Sequence, residues 1–446
     1  MSSLPGTVDL LDLHRLNPQR YPFLLQSSAT TNSLGRFDLL LAFPEDSLEL
    51  RADGHLCGPH SDGRSEFLQA LDAWWRALRH DGAESDLPFS GGWFLYLGYE
   101  LAAEIEPVLN LEPDSVLPTA LAVRCPAVVI YDHKHDVCHF VAEAHVRDNA
   151  ALVSADFVEC RNQTSTSNSH NPPPPEVVEE DADTFLEAVE TAKKYIADGD
   201  IYQTNLSRQW NAILTGRFTA DQLYARLRAT NPAPFAGLAT WNGTQVISSS
   251  PERLLKIQNG IASTRPIAGT RPRSDDQAMD AELSNELFSH PKERAEHVML
   301  IDLERNDLGR ICAAGTVEVD EMMVLESYAH VHHIVSNVQG RLRSNVGPGE
   351  AIRAVFPGGT ITGCPKVRCM QIIHELENGP RGAYTGSFGY LDRNGNMDLN
   401  ILIRTIVMHD GDISLRAGSG IVADSEAEAE LAETRAKAKG LLQALL

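Results

Sequence analysis

Acidic side chains on two predicted helices could hold a metal ion. In the segment DSEAEAELAETRAKAKGLLQALL, Glu430, Glu433 and Lys437 recur at helical spacing and border an apolar stripe. In HPKERAEHVMLIDLERNDLGR, Glu293 and Glu296 share a second helix face. Two such helices facing one cavity would supply the carboxylate oxygens that Mg²⁺ prefers. The alternative is an exposed acidic helix with a surface pair between Glu433 and Lys437.

Glycine-rich turns and one arginine could receive an anionic group. Thr360 lies in FPGGTITGCPKVR, a glycine-rich turn before a predicted helix start, where backbone N–H groups can bind a carboxylate. Gly418 and Gly420 precede the acidic helix and allow close approach of a ligand to the backbone. Arg404 lies in a predicted apolar strand, where its guanidinium needs an acceptor. A fixed structural ion pair is the alternative for Arg404.

Four residues outside these segments are candidate site residues only in combination with them. They are Gln203 in GDIYQTNLSR, Glu252 in SSSPERLL, Ala268 in RPIAGTRPR and His333 in HVHHIVS. Taken singly, His333 is typical of a hydrogen-bonded strand histidine and Glu252 of an ordinary loop acid.

Hydrophobic periodicity predicts the elements that must position these residues. Strands are predicted in runs, at 37–43, 91–99, 127–132, from 202 onward, and at 244–249, 332–340, 386–392, 399–408 and 413–420. Helices are predicted at 68–78, 183–199, 292–303, 365–376 and 425–445. Ser425 and Glu428 indicate a capping box at the last helix. A nucleotide-binding doubly wound sheet is disfavoured because neither GxGxxG nor GxxxxGK occurs.

Composition and charge exclude several classes of protein. The chain of 446 residues is 43% apolar and 22% charged, which is typical of a globular protein. Its 38 basic and 61 acidic residues give a net charge of −23, which disfavours binding to nucleic acid or to a membrane surface. Seven scattered cysteines without CxxC spacing indicate neither a disulfide framework nor a zinc site. With no signal-like N-terminus and no long apolar stretch, we expect a cytoplasmic protein.

Eight segments together strongly resemble the chorismate-utilising enzymes. They are GDIYQTNLSR, SPERLL, RPIAGTRPR, AEHVMLIDLERNDLGR, HHIVS, FPGGTITGCPKVR, GNMDLNILIRT and AGSGIVADSEAEAELAETRAKA. The family includes the large subunits of anthranilate synthase and 4-amino-4-deoxychorismate synthase, as well as isochorismate and salicylate synthases. The likeness covers residues 185–440 and, more weakly, 24–44 and 90–101. It implies an α+β fold of two stacked antiparallel β-sheets with helices packed outside.

The chain is predicted to divide into two parts joined by a linker. Residues 161–182 contain a polar run followed by four consecutive prolines, which is typical of a linker. The resemblance makes residues 1–160 an N-terminal lobe and 183–446 the chorismate-binding catalytic domain.

The resemblance also implies a role for each candidate residue. Glu296 and Glu433 would bind Mg²⁺, and Glu430 and Glu293 would hold its water ligands. The substrate carboxylates would be held by Thr360, Tyr390, Arg404, Lys437 and the backbone of Gly418 and Gly420. Glu252 would be the general acid that protonates the departing C4 hydroxyl, and His333 would lie beside the reacting ring.

Two positions bear on the reaction. Isochorismate and salicylate synthases have a lysine at the position of Gln203 to activate water, so the likeness indicates an amine-transferring member. Together with LLQS, the motifs favour 4-amino-4-deoxychorismate synthase component I, which serves 4-aminobenzoate and folate biosynthesis. Some members of that group carry a nucleophilic lysine where this chain has Ala268, and anthranilate synthase large subunits typically read PIAGTRPR, so anthranilate synthase is the alternative.

The family also implies a partner. Neither Cys57 nor Cys364 lies in the GxCxG context of a glutaminase nucleophile, so ammonia would come from a glutaminase subunit in a heterodimer or from solution. LLQS and NPAPF match places where relatives enclose a tryptophan, but the sequence leaves open whether this chain binds one.

Overall fold

Apolar β-rich segments pair into two antiparallel sheets that stack face to face. The computed structural model describes residues 2–4, 6–27, 35–80, 86–163, 174–213, 218–274, 276–327 and 331–446. Helices cover the outer faces of both sheets. The predicted α+β class with two stacked antiparallel sheets is confirmed.

The first sheet has 12 strands within the described residues. In chain order they are β1 Ser2–Ser3, β2 Phe23–Gln26, β3 Phe37–Ala42, β8 Ala127–Asp132, β9 Val137–Ala142, β10 Val177–Glu179, β11 Gln203–Ile213, β12 Phe235–Trp241, β13 Thr244–Ser250, β19 Gly363–Cys364, β22 Thr405–His409 and β23 Asp412–Ile421. Their order across the sheet is β1-β9-β8-β3-β2-β12-β13-β22-β23-β11-β10, and β19 pairs with β11.

The second sheet has 11 strands within the same described ranges. They are β4 Ser47–Leu50, β5 Leu56–Cys57, β6 Gly92–Leu97, β7 Ala120–Cys125, β14 Arg253–Gln258, β15 Ile261–Arg265, β16 Ile267–Pro272, β17 Glu318–Ser327, β18 Val331–Arg341, β20 Ser387–Asp392 and β21 Met397–Asn400. Their order is β16-β18-β15-β14-β21-β20-β6-β7-β4-β5, and β17 pairs with β18.

The helices pack on the two outer faces. They are α1 Leu10–Leu16, α2 Phe67–Leu78, α3 Ala102–Ile105, α4 Ala150–Gln163, α5 Ala182–Ala197, α6 Ala220–Thr230, α7 Gln277–Ser289, α8 Pro291–Gly309, α9 Pro348–Val355, α10 Lys366–Leu376 and α11 Ala427–Ala444. Helices α1, α4, α6 and α11 bury apolar residues against the first sheet. Helices α2, α8 and α9 do so against the second.

Aromatic side chains fill the space between the sheets. The rings of Phe23 from the first sheet and Phe94 from the second stack with centroids 3.9 Å apart. Phe388 and Val246 belong to the same buried cluster. Fully burying one such side chain contributes roughly 1.5–3 kcal/mol, so this layer holds the two sheets together.

Both sheets combine strands from either side of the predicted linker. Helix α4 reaches Gln163, β10 begins at Val177, and residues 164–173 of the predicted linker lie outside the described residues. The predicted linker at 161–182 therefore separates two parts of the sequence. Each sheet, however, contains strands from before and after this linker.

Two local predictions are wrong. The predicted capping box is absent, because Glu426 is the N-cap residue of α11 and the Ser425 hydroxyl instead accepts a hydrogen bond from the N–H of Val422. The predicted strand 399–408 is split into β21 and β22, which belong to different sheets. An apolar segment has the same hydrophobic pattern whether it forms one strand or crosses from one sheet to the other, because its residues are buried in both cases.

Candidate active site

The chain crosses from one sheet to the other at two neighbouring places, and each crossing carries a charged residue. Between β13 and β14 the crossing ends at Glu252, and between β21 and β22 it ends at Arg404. The N–H of Ile401 donates to the carbonyl of Glu252 at 3.0 Å, and the N–H of Ser249 donates to that of Arg404 at 3.1 Å. Because hydrogen bonds tie the crossings together, the backbone fixes both charged residues in one place.

The carboxyl group of Glu252 is set up to carry a proton near neutral pH. The residue is 5% exposed, and burial raises the pKa of its carboxyl to about 7. The Thr360 hydroxyl and the Ile267 backbone oppose this rise in pKa, as do the charges of Lys437 and Arg404. A carboxylic acid with a pKa near 7 can act as a general acid at physiological pH.

Arg404 is a cation without a carboxylate partner among the residues that the structure describes. Its backbone adopts a φ of 51°, which is uncommon for a residue with a side chain. Burial lowers the pKa of its guanidinium, and the charge of Glu252 opposes that effect. A partly buried guanidinium with no internal counter-ion is suited to an anionic ligand, so the structural ion pair considered for Arg404 is not found within the described chain.

A β-bulge positions His333 and Ala268 beside this pair. Ala268 lies opposite Ile334, and the bulge residue Gly269 has a φ of 69° and hydrogen-bonds His333 through its backbone. Burial and the positive charge of Arg404 lower the pKa of His333 to about 3. The imidazole is therefore neutral at pH 7 and can donate or accept a hydrogen bond without adding charge.

The glycines of β23 form a backbone surface next to Lys437. The ammonium group of Lys437 donates to the carbonyl of Gly418 at 3.0 Å. A Cβ at Gly418 would lie 2.5 Å from the hydroxyl oxygen of Tyr384, and one at Gly420 would lie 2.7 Å from Nε2 of Gln203. Any side chain at these two positions would displace those groups, so glycine keeps this surface open to a ligand.

Helix α11 brings its acids to the same strand. Lys437 forms a 2.7 Å ion pair with Glu433, and the hydroxyl of Ser419 donates to Glu430. The surface pair that was the alternative to a metal site is thus present. The same Lys437 also binds the Gly418 carbonyl, so Glu433 lies at the edge of the cluster.

Helix α8 carries the other two residues of the predicted metal site. Glu293 forms a 3.2 Å ion pair with Arg271 and lies against Gly269, and the half-buried Glu296 follows one turn later. No group of three or more acidic, histidine or cysteine side chains converges into a metal cage within the described ranges. The donors nevertheless fit Mg²⁺ in type, since this ion commonly takes one or two protein carboxylates and keeps water or substrate oxygens as its other ligands.

Tyr384, which the sequence analysis missed, is the tyrosine whose hydroxyl lies beside Gly418. Tyr390 is a residue of β20 whose ring packs edge-on against Phe89 at 5.7 Å, within the core between the sheets. The structure does not bring Tyr390 to Gly418, whereas the hydroxyl of Tyr384 reaches it. Tyr384 precedes β20, outside the alternating pattern of the strand, and that is the signal that separates the two tyrosines.

Comparison with known proteins agrees with this arrangement. The family described as chorismate binding enzyme matches residues 22–443. The chain belongs to this family. An anthranilate synthase component I-like protein of Synechocystis sp. is 43% identical over 92% of this chain and 83% of the relative. Aminodeoxychorismate synthase component 1 of Bacillus subtilis is 39% identical over 85% of this chain and 82% of the relative.

Solved structures of chorismate-utilising enzymes share the fold. Anthranilate synthase component I from Streptococcus pneumoniae superposes with a TM-score of 0.80 at 32% identity, covering 92% of each chain. The isochorismate synthase MenF of Escherichia coli superposes with a TM-score of 0.72 at 18% identity, covering 100% of this chain and 94% of that one. This protein is therefore a chorismate-utilising enzyme. No described helix combines the length and apolar character needed to span a membrane.

Replacing Tyr384 with Phe tests the placement of the two tyrosines in this chorismate-utilising enzyme. A hydrogen bond to a charged group contributes about 1.5–3 kcal/mol, so Tyr384→Phe is expected to raise KM for chorismate about 10- to 100-fold. Tyr390→Phe is the matched control and is expected to leave KM unchanged. Steady-state kinetics of both variants measure this, and an effect confined to Tyr390→Phe would contradict the assignment.

Proposed function

We propose that this enzyme aminates chorismate at C4 with ammonia and produces 4-amino-4-deoxychorismate, the precursor of 4-aminobenzoate in folate synthesis. The motifs shared with 4-amino-4-deoxychorismate synthase component I and the B. subtilis relative of that name support this choice.

The observation that carries amination is the amide at position 203. The side chain of Gln203 lies against Gly420, and its Oε1 has no hydrogen-bond partner among the described residues. A carboxamide cannot take a proton from water, so this position offers no base for hydration. Ammonia is already nucleophilic and needs no such base.

The side chains around the crossings would bind and activate the substrate. Arg404 and Lys437 provide the positive charge that a dicarboxylate requires in a protein with a net charge of −23. Glu252 would donate its proton to the C4 hydroxyl as the C–O bond breaks, because hydroxide is a poor leaving group. The neutral His333 would contact the ring without competing for the carboxylates.

A magnesium ion belongs to this proposal. Glu296 and Glu433 would hold it, and Glu293 and Glu430 would hold its water ligands. Bound there, Mg²⁺ would orient a substrate carboxylate and withdraw electron density during loss of the hydroxyl.

Ammonia would come from a glutamine amidotransferase partner. The cysteines of this chain lack the nucleophile context of a glutaminase, and Cys364 is paired into the short strand β19. We therefore propose a heterodimer in which the partner hydrolyses glutamine.

Anthranilate synthase component I is a second candidate because of Ala268. The methyl group of Ala268 lies in β16, opposite Ile334 and next to the position of His333, and it cannot form a covalent intermediate. The Synechocystis and S. pneumoniae relatives named for anthranilate synthase also support this candidate. Its products would be anthranilate and pyruvate.

The nitrogen source tests the amination. The purified chain is expected to consume chorismate with ammonium salts, at a rate that rises with free NH₃, and not with glutamine until a glutaminase is added. Gln203→Lys is expected to gain water-dependent isochorismate formation, because a desolvated lysine can have its pKa lowered enough to act as a base. Gln245→Lys, on a different strand, is the control. Glutamine-dependent turnover by the chain alone would refute the requirement for a partner.

A further inference from the structure

We propose that Asn205 is an ammonia-binding residue, which holds the nucleophile together with Gln203 beside the substrate. Asn205 lies on β11, two residues after Gln203, so both side chains leave the same face of the strand. The proposal rests on the proposed amination, and it adds the place where ammonia binds before it reacts.

One face of β11 carries a row of polar side chains. They are those of Gln203, Asn205, Ser207, Gln209 and Asn211. Farther along the row the side chains have partners, and the hydroxyl of Ser207 donates to Glu377 at 3.0 Å. At the end next to the glycines of β23, by contrast, Oδ1 of Asn205 and Oε1 of Gln203 are buried and accept no hydrogen bond from any residue that the structure describes.

The backbone of Asn205 is fixed on both sides. Its N–H donates to the carbonyl of Thr362 at 3.0 Å, and its carbonyl accepts from the guanidinium of Arg381 at 2.8 Å. In the sheet, Asn205 lies opposite Gly420. A Cβ at Gly418 would lie 2.7 Å from Oδ1 of Asn205. The unpaired oxygen therefore borders the same open backbone surface that the two glycines provide.

The chemistry of the reactants decides which ligand suits these two oxygens. A carboxamide oxygen only accepts hydrogen bonds, and a buried acceptor without a donor is destabilising. Chorismate has two carboxylates, which are acceptors as well, and a single hydroxyl. Ammonia has three N–H groups and is the reactant that can supply donors to both oxygens.

A carboxamide also suits the form of nitrogen that reacts. It does not protonate ammonia, and it does not attract the ammonium ion as a carboxylate would. Hydrogen bonds donated by the N–H groups leave the lone pair of the nitrogen free for the reaction.

The reaction balances with ammonia held in this way. The lone pair forms the C–N bond as the C–O bond at C4 breaks, and the hydroxyl leaves as water with the proton of Glu252. The ammonium group formed on C4 then returns one proton to the carboxylate of Glu252. No oxidant, reductant or further reactant is needed.

Steady-state kinetics with both substrates test the role of Asn205. Asn205→Leu keeps the approximate size of the side chain but removes the acceptor. At fixed pH, KM for free NH₃ is therefore expected to rise about 3- to 10-fold, while KM for chorismate is expected to stay unchanged. Asn205→Ala is the second variant if Leu does not fold. Asn211→Leu, at the exposed end of the same face of β11, is the matched control and should change neither constant.

The wild-type reaction separates this inference from the proposed function. If the wild type consumes chorismate with ammonium and a folded Asn205→Leu has the same KM for NH₃, the inference is overturned and amination stands. A rise in KM for chorismate alone would also overturn it, because Asn205 would then hold that substrate. An equal rise in KM for NH₃ in Asn211→Leu would assign the effect to the strand as a whole and overturn it too. No consumption of chorismate with ammonium by the wild type would overturn both proposals.

Discussion

Glu252→Gln is expected to lower kcat for chorismate about 10²- to 10⁴-fold, the usual contribution of a general acid. The amide keeps the size of the side chain but has no acidic proton to give to the departing hydroxyl. Burial of the wild-type carboxyl raises its pKa to about 7, so the proton is present below that pH and lost above it. At a fixed concentration of free NH₃, the wild-type rate should therefore fall as pH rises through 7, and the variant should lack this limb.

The control for this variant is Glu104→Gln. The side chain of Glu104 is only 8% exposed, but its carboxylate accepts hydrogen bonds from the N–H groups of Phe67 and Leu68 at the start of α2. Its replacement should lower the melting temperature and leave the pH profile unchanged. Equal loss of turnover in both variants would assign the effect to folding and contradict the role of Glu252.

Removal of divalent metal is expected to abolish turnover, and Mg²⁺ should restore it. A metal that stabilises developing charge contributes several kcal/mol, which corresponds to a loss of at least about 100-fold. Glu296→Gln and Glu433→Gln should show the same loss while remaining folded, because each removes a charge but little volume. Glu428→Gln, exposed in the first turn of α11, is the matched control.

The Mg²⁺ requirement of these two variants distinguishes weaker metal binding from a loss of folding. Both should need more Mg²⁺ for half-maximal rate than the control. Full activity of Glu296→Gln or Glu433→Gln under limiting Mg²⁺ would remove that residue from the proposed site. Full activity of the wild type after exhaustive chelation would show that turnover needs no divalent metal.

The sequence predicts the helices of the site well because their signals are local. The acidic row of α11 and its apolar stripe follow from helical spacing, and Leu431 and Ala438 are buried as the stripe predicts. Gly418 and Gly420 also lie where a backbone surface is expected. The α+β class came from the family resemblance, since periodicity alone indicates strands but not how they are shared between two sheets.

The placement of Arg404 and Tyr384 depends on contacts that are distant in the chain. Arg404 was predicted within a strand, but the structure places it where the chain changes sheets, and the second crossing that fixes it is some 150 residues away in sequence. Tyr384 and Tyr390 belong to one glycine-rich segment, and the packing of Tyr390 against Phe89 in the core gives the two residues different surroundings.

The most direct test of the central claim is to identify the product formed from chorismate, Mg²⁺ and ammonium by the wild-type chain, with pyruvate measured in the same reaction and no lyase present. Amination at C4 leaves the enolpyruvyl group in place, so the proposed reaction yields 4-amino-4-deoxychorismate without pyruvate until a lyase is added. Stoichiometric pyruvate with fluorescent anthranilate would contradict it and make this chain an anthranilate synthase component I.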